Sequence, residues 1–357
     1  MKIARVGSYP TTYYNNVGRY MYEISKIKGT ESFIFSQKLK GIPLKNSSVI
    51  DFKTFEIESR SSLAQNNTVK KIIKNIQWLI KLLIIQIRGI IYFQGRKISI
   101  VHIHSQLHSL IAVWGWITGK KVFLSFHGED YNNLIGSKFL QFLLFPYHKI
   151  FVISPLMKGG IIKYFKKEVI YTPNGVDKSI FYDREISRER KILCVASFKK
   201  VKRHELLLDG FSEFIKGSAF QDYKLVLAGE GILEDQIRKK VEKLGISDRV
   251  NFIGNLNSFE LSNLYNESEL LILVSKREGF PKVILEGLSC GIKVVSTPVG
   301  SITEIFGPNY PYILNDITPN GIKDALVKIL TDNDVKPIDI DRYSWDNLRT
   351  IIKSKYE

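Results

Sequence analysis

The stretch R-E-G-F-P-K-V-I-L-E-G, Arg277 to Gly287, sets two glutamates eight positions apart around Gly-Phe-Pro. Carboxylate oxygens accept hydrogen bonds from O–H groups, which suits them to the vicinal hydroxyls of sugars. A buried carboxylate is costly unless something pairs with it. The strand-like L-L-I-L-V-S runs into the loop K-R-E-G-F-P, and K-V-I-L-E-G-L-S-C-G then reads as a helix ended by Gly291. A loop-to-helix start presents unpaired N–H groups and a partial positive charge, a seat for a diphosphate. The spacing places Glu278 just before that start and Glu286 about two turns along the helix, both lining one cleft. One would hold a sugar and the other a ribose. Glu-x7-Glu alone is a weak pattern, because a helix-start acid followed by an unrelated surface acid has the same spacing.

The elements that must position these residues alternate between strand and helix, which predicts parallel sheets covered by helices. K-I-A-R-V-G-S-Y, I-S-I-V-H-I-H, K-V-F-L-S-F-H and K-I-F-V-I-S read as buried strands of a first half. K-I-L-C-V-A-S, Y-K-L-V-L-A-G, V-N-F-I-G, L-L-I-L-V-S and K-V-V-S-T-P repeat the pattern in a second. The turn cluster Y-T-P-N-G-V-D, Tyr171 to Asp177, marks the boundary. The expected fold is α/β: two Rossmann-like doubly wound domains, 1–172 and 173–335, facing across a cleft with ligands at the carboxyl ends of their strands. Residues 336–357 end in a helix around Trp345. A length of 357 residues suits two cores better than one.

Charge is divided unevenly. Residues 1–172 hold 25 Lys/Arg against 8 Asp/Glu, whereas residues 173–357 hold 27 of each, so the net +17 lies wholly in the first half. That points to an anionic partner for this half. From Val69 to Phe93 the chain is apolar around most of a helical circumference. Ile72, Ile76, Leu79, Ile80, Leu83, Ile87 and Ile90 form one face at ~100° per residue. Lys70, Lys74, Lys81 and Arg88 share an opposite stripe bordered by Trp78, Leu82 and Ile85. The basic residues argue against a spanning helix. They suit an interfacial helix on an anionic membrane surface, with Trp78 among its contacts. The start K-I-A-R-V resembles a strand rather than a leader, and Cys194 and Cys290 sit in apolar surroundings as reduced thiols. The expectation is a cytoplasmic protein, peripheral on the inner face of the cell membrane.

The segment S-K-R-E-G-F-P-K-V-I-L-E-G-L-S-C-G-I-K-V-V-S-T-P-V-G-S-I-T-E-I resembles the donor-binding segment of glycosyltransferase family 4, retaining enzymes of GT-B fold. The resemblance continues through V-A-S-F-K-K-V-K-R-H-E-L-L-L-D-G-F, L-V-L-A-G-E-G-I-L-E-D-Q-I, D-R-V-N-F-I-G and N-G-V-D, covering most of residues 171–305. It implies a hexosyltransferase-type enzyme that moves a sugar from a nucleotide diphosphate to an acceptor hydroxyl with retention, without metal or other cofactor. Glu286 would hold the ribose, Glu278 the transferred sugar, and Lys202 the leaving diphosphate. Backbone amides at Gly279, Phe280 and Lys282 would approach sugar and phosphate, and Gly254 the base. The family's usual arginine falls on Ser197, leaving the diphosphate one cation short unless Lys199, Lys200 or Arg203 compensates. His127, in H-G-E-D, matches the family's strand-end histidine beside the donor sugar. Gly18 is the best match to its glycine-rich loop near phosphates and acceptor. The final helix would cross back onto the first domain, with Trp345 packing, and the two domains would close on the reactants.

His102 and His104, alternating with apolar residues on a strand, read as packing or cleft-edge groups rather than metal ligands. Asp339-Ile340-Asp341 and Asp332-Asn333-Asp334 carry the Asp-x-Asp pattern of metal-dependent GT-A transferases, but in a polar segment ahead of a helix, where capping aspartates are common. A nucleotide-sugar epimerase of similar fold and a catalytically inactive GT-B scaffold are the alternatives. No stacking aromatics interleave with the basic residues, so a nucleic-acid partner is not expected. The expected partners are a nucleotide-sugar donor, a lipid-linked or other glycan acceptor and the membrane, in bacterial surface polysaccharide assembly.

Overall fold

A computed structural model describes residues 1–8, 19–38, 43, 46–56, 68–127, 129–307 and 309–357, with side chains left out at 68–71, 129, 130 and 132. The chain divides into two compact units, Met1–Pro173 with Leu348–Glu357, and Asn174–Asn347. Both are wholly parallel sheets covered by helices, the arrangement that strand–helix alternation produces.

The first unit has seven strands: β1 (Lys2–Gly7), β2 (Glu31–Gln37), β3 (Val49–Phe55), β4 (Ile100–Ile103), β5 (Lys121–Phe126), β6 (Lys149–Val152) and β7 (Glu168–Tyr171). Their order is β3-β2-β1-β4-β5-β6-β7, so the order of strand addition reverses at the neighbouring β1 and β4. Val/Ile/Phe runs on β1, β4 and β5 are buried on both faces, as parallel central strands require. Helices α1 (Arg19–Ser25), α2 (Thr68–Phe93), α3 (Ser109–Ile117), α4 (Glu129–Ile135), α5 (Lys138–Phe142) and α6 (Pro155–Ile161) surround it.

Arg5 on β1 is fully buried. It donates to Ser32 Oγ (2.9 Å), Tyr356 Oη (2.8 Å) and the Ile24 carbonyl (2.9 Å). These neutral acceptors allow a cation in the core that would otherwise be prohibitively unfavourable. Tyr356 comes from the last helix, whose residues from Leu348 onward belong to this unit. Glu23, 1% exposed, binds Arg349 at 2.8 Å together with Arg19 and Lys26. Lys121 and Lys149 donate to the terminal carbonyls of Lys355, Tyr356 and Glu357, complementing the negative end of that helix.

The second unit has five strands: β8 (Glu189–Val195), β9 (Lys224–Ala228), β10 (Val250–Gly254), β11 (Ser268–Leu273) and β12 (Lys293–Ser296), in the order β10-β9-β8-β11-β12. Helices α7 (His204–Phe214), α8 (Glu234–Leu244), α9 (Ser258–Glu267), α10 (Lys282–Ser289), α11 (Ile302–Phe306) and α12 (Pro319–Thr331) cover it, and α13 (Trp345–Tyr356) starts here. Leu207, Leu208, Phe211 and Phe214 form the buried stripe of α7, packed with Ile322, Leu326 and Ile329 of α12 into one core under β8 and β9. Trp345 is buried, and its N–H donates to the Val176 carbonyl.

Candidate active site

The donor-side residues of the second unit lie at the carboxyl ends of its strands, around the point where the strand order reverses. β8 comes first in sequence yet sits in the centre, so the loops after β8 and β11 leave from neighbouring strands. Ligands of open α/β sheets bind at such crevices. The chain after β8 tightens into a 3₁₀ turn, Lys200–Lys202, and the Lys276 N–H donates to the Val201 carbonyl at 2.8 Å, tying the two loops together. Arg203 follows in a left-handed conformation (φ 56°), an uncommon state for a non-glycine residue, and turns the chain into α7.

This turn brings Lys202 Nζ to 2.5 Å from Glu278 Oε1, with the side chains only 20% and 13% exposed. The same oxygen accepts the Ser275 hydroxyl at 2.6 Å. Ser275 itself is buried, and its carbonyl accepts the Thr297 hydroxyl. The Glu278–Gly279 loop is braced from below by Gly300 (φ +60°), where a β-carbon would stand 2.6 Å from the Gly279 oxygen and 2.7 Å from that of Glu278. Only glycine allows that approach. Ser275 and Gly300 had gone unassigned, although the V-G-S step after β12 signals a tight turn.

Helix α10 begins at Lys282 with Pro281 as its N-cap, and no side chain caps it. Its first-turn amides therefore carry the partial positive charge suited to an anion. Phe280 is buried with its ring 5.7 Å from that of Tyr343, so its backbone is what the loop offers. Glu286 stands four residues after the Lys282 start, about one turn into the helix rather than the two expected. Its Oε2 accepts the hydroxyl of the fully buried Tyr265 at 3.2 Å. Burial, with Glu286 beside it, holds the Tyr265 phenol well above its ordinary range, so the hydroxyl stays a donor. Ser197 and Gly254 close the other side of the sheet top. The Phe198 N–H donates to the Glu230 carbonyl, and the Gly229 N–H to that of Gly254. Ser197 is half-buried, while Lys199 and Lys200 are exposed. A separate cavity of about 670 Å³, lined by Arg188, Arg190, Glu269 and Lys293, opens at the amino-terminal edge of the same sheet, away from these residues.

In the first unit, His127 and His104 directly follow β5 and β4, which are adjacent. His104 Nδ1 lies 3.2 Å from His127 Nε2, and the rings are nearly parallel. Tyr20 meets His127 edge-on at 4.9 Å. Burial pushes His127 down to about 4, so it is neutral at pH 7. Gly18 and its loop lie outside the described residues, as do Gly128 and the side chains of Glu129 and Asp130.

Among the described residues no three His, Cys, Asp or Glu side chains are grouped to hold a metal ion. The Asp-x-Asp pairs act locally: Asp339 accepts the Asp341 N–H, Asp332 accepts that of Asp334, and Lys178 pairs with Asp341. Cys194 and Cys290 are buried and unbridged, and burial raises both thiols, to about 12 and about 11.

Helix α2 presents three arcs. Trp78, Leu82, Ile85 and Gln86 are buried, and Gln86 Oε1 accepts the Leu110 N–H of α3 at 2.8 Å. This corrects the expectation for Trp78: at 8% exposed it anchors the helix to its own unit and is not a surface contact. The face from Ile72 through Ile76, Leu79, Ile80, Leu83 and Ile87 is instead exposed, joined by Ile73, Ile84 and Ile91. Lys81 and Arg88 are exposed and Lys74 half-buried beside that face; the side chain of Lys70 lies outside the described residues. A second apolar patch, not foreseen from the sequence, comprises Trp116 and Ile117 of α3 with Phe139, Phe142 and Phe145. Trp116 and Phe142 each meet Phe145, at 5.4 and 5.6 Å. By length and composition alone Ile72–Phe93 could also cross a membrane, but its buried arc is packed on the sheet unit.

Comparison with known proteins bears on the family and the fold. Residues 177–343 match the family model described as glycosyl transferases group 1. An N-acetyl-alpha-D-glucosaminyl L-malate synthase of Bacillus anthracis is 27% identical over 265 residues, covering 68% of each chain. An N-acetylgalactosamine-N,N'-diacetylbacillosaminyl-diphospho-undecaprenol 4-alpha-N-acetylgalactosaminyltransferase of Campylobacter jejuni is 28% identical over 225 residues, 58% of each chain. The solved structure of Anabaena HepE in complex with UDP and glucose superposes with a TM-score of 0.72 over 99% of both chains at 13% identity, showing the same fold. Residues 177–343 thus belong to the glycosyl transferases group 1 family, and the chain that carries them is a sugar-transferring glycosyltransferase of GT-B fold.

Proposed function

We propose that this glycosyltransferase moves a sugar from a nucleoside diphosphate to an acceptor hydroxyl with retention of configuration and without a metal ion. The observation that carries the reading is the Lys202–Glu278 pair where the second sheet reverses, beside the uncapped start of α10. Lys202 and the α10 amides would stabilise charge developing on the leaving diphosphate, the largest single contribution available to such a site. Glu278 would hold hydroxyls of the transferred sugar, Glu286 the ribose, and Gly254 and Ser197 would flank the nucleotide. Gly279, Phe280 and Lys282 would contribute backbone amides, and His127 would hydrogen-bond the sugar. The UDP held by the Anabaena protein of the same fold supports a nucleotide donor. Incubation with UDP-, GDP- and ADP-sugars in EDTA should yield a glycoside whose anomeric signal in proton NMR keeps the donor's configuration. An inverted product, epimerised donor without transfer, or activity restored only by manganese would each overturn this reading.

The acceptor is proposed to be a lipid-linked glycan met at an anionic membrane surface, in surface polysaccharide assembly on the cytoplasmic side. Soluble monomers rarely expose a contiguous apolar surface as extensive as that of α2. The basic residues on its flank supply the charge that anionic headgroups attract, each worth about 1 kcal/mol near such a surface. The diphospho-undecaprenol in the name of the Campylobacter relative supports an acceptor of this kind. The protein should float with vesicles of anionic lipid. Replacing Lys74, Lys81 and Arg88 by glutamate, or Leu79 and Leu83 by aspartate, should release it into the soluble fraction. Unchanged flotation of both variants would refute the membrane role of α2.

A further inference from the structure

Three histidines meet at the top of the first sheet, and their hydrogen bonds have a direction. His102 and His104 lie two residues apart on and just after β4, with ring centroids 4.4 Å apart. Both are buried and neutral, since burial lowers their protonation well below the usual range, with neighbouring histidines and Arg5 adding to the effect. Arginine can only donate, so the Tyr356 oxygen accepts from Arg5 and its own proton is left to donate onward. The nearest acceptor is His102 Nδ1 at 2.7 Å. With Nδ1 accepting, the proton of His102 sits on Nε2, which meets Ser125 Oγ at 2.8 Å.

His104 has the opposite problem. Its Nε2 is buried and meets no hydrogen-bond partner among the described residues, while its Nδ1 faces His127 Nε2. An orphaned buried N–H is rarer than an under-used acceptor, which favours a bare lone pair at Nε2 and the proton on Nδ1. We infer that His104 donates through Nδ1–H to His127 Nε2 and thereby fixes His127 as its Nδ1–H tautomer. His102 and His104 thus carry opposite tautomers on one strand. The backbone makes the approach possible: the His104 N–H donates to the Val6 carbonyl at 2.8 Å, and a β-carbon on Gly7 (φ +153°) would stand 2.7 Å from His104 Cβ.

The consequence is a defined role for His127. With Nε2 committed as an acceptor, the ring can offer Nδ1–H as a donor but cannot serve as a general base through Nε2. His104 is then a positioning residue that keeps the donor present. This consequence rests on the reading of His127 as a sugar contact, whereas the tautomer itself does not.

The test is long-range proton–nitrogen NMR of the full chain labelled with ¹⁵N-histidine at pH 7.5, its six histidines assigned by single substitution. The expected spectrum shows His127 and His104 protonated on Nδ1 and His102 on Nε2. In His104→Leu, the His127 nitrogens should move toward tautomer averaging, and kcat should fall about tenfold with donor KM unchanged, as expected for one misplaced hydrogen bond. His104→Asn, whose amide stands near the place of Nδ1, should restore most of the rate. A wild-type spectrum with His127 protonated on Nε2 overturns the proposal even if the variants fail to fold. Unchanged His127 signals in His104→Leu overturn it too. If the spectrum agrees but His127→Ala transfers sugar normally, the tautomer stands and the sugar contact falls.

Discussion

Lys202→Met should slow sugar transfer by two to three orders of magnitude and loosen the second unit as well. The rate loss is about that of removing one group aimed at developing charge, 10²–10³-fold. The stability loss has a separate origin. Glu278 is 13% exposed, and without Lys202 its carboxylate keeps only the Ser275 hydroxyl among the partners described above. Breaking one side of a buried pair costs more than replacing both sides; because this pair retains some solvent, about 2 kcal/mol is expected. Glu278→Gln should also reduce kcat about a hundredfold or more. The double variant Lys202→Met/Glu278→Gln should regain most of the lost melting temperature and none of the activity. Glu286→Ala should differ in kind, raising donor KM about 10- to 100-fold through loss of charge-assisted hydrogen bonds to the ribose, with a smaller change in kcat. Wild-type kinetics for Lys202→Met would remove the diphosphate role. A double variant no more stable than Lys202→Met would show that the pair is not what couples the two loops.

Acid should destabilise both units well above the pH at which carboxylates titrate. His108 in the first unit and His204 in the second are each pushed down to about 4, in both cases mainly by burial. An unfolded histidine titrates near 6.5, so below that pH the unfolded chain binds protons that the folded units refuse. The depressed values therefore mean stability that is full at pH 7 and above, and lost as the pH falls from about 6.5 toward 4. At pH 5 each of the two histidines costs about 2 kcal/mol, and His102 and His104 act in the same direction. This is a large part of the 5–15 kcal/mol typical of a domain. Thermal unfolding followed from pH 7.5 to 5 should show a steep fall in both transitions. Both ring nitrogens of His204 lack hydrogen-bond partners among the described residues, and Phe198 packs edge-on against the ring at 4.9 Å. His204→Leu should thus flatten the acid limb of the second unit's transition. A melting temperature unchanged down to pH 5 would contradict this account.

The sequence made the central strands legible and the edges much less so. β4, β5 and β6 of the first sheet, and β9 and β11 of the second, are largely Val/Ile/Leu/Phe runs because both faces are covered, whereas the edge strand β10, V-N-F-I-G, alternates buried and open positions. β3 and β7 are the two edges of the first sheet; β3 mixes Asp51 and Lys53 among apolar residues, and β7 follows the charged run Lys166-Lys167-Glu168, whose glutamate is its exposed first residue. β2 was obscured differently: Ser32 and Ser36 interrupt E-S-F-I-F-S-Q although both are fully buried, Ser32 because it accepts from Arg5. Local motifs gave Glu278, Glu286 and Lys202 as separate residues. Their pairing could not be read locally, since Lys202 and Glu278 are 76 positions apart and meet only because β8 lies beside β11. The contact of His104 with His127 depends in the same way on β4 lying beside β5. On α2, apolar residues occupy both the packed and the open arcs, so periodicity alone could not tell which of them the sheet would claim, and Trp78 was assigned to the wrong one.

The placement of Tyr356 on Arg5, 351 positions away, has a bearing on biosynthesis. The strands of the first unit emerge early, yet the hydroxyl that shields their interior cation is made only after the entire second unit. Until then the β1 guanidinium can reach Ser32 and the Ile24 carbonyl but is one acceptor short of its folded set.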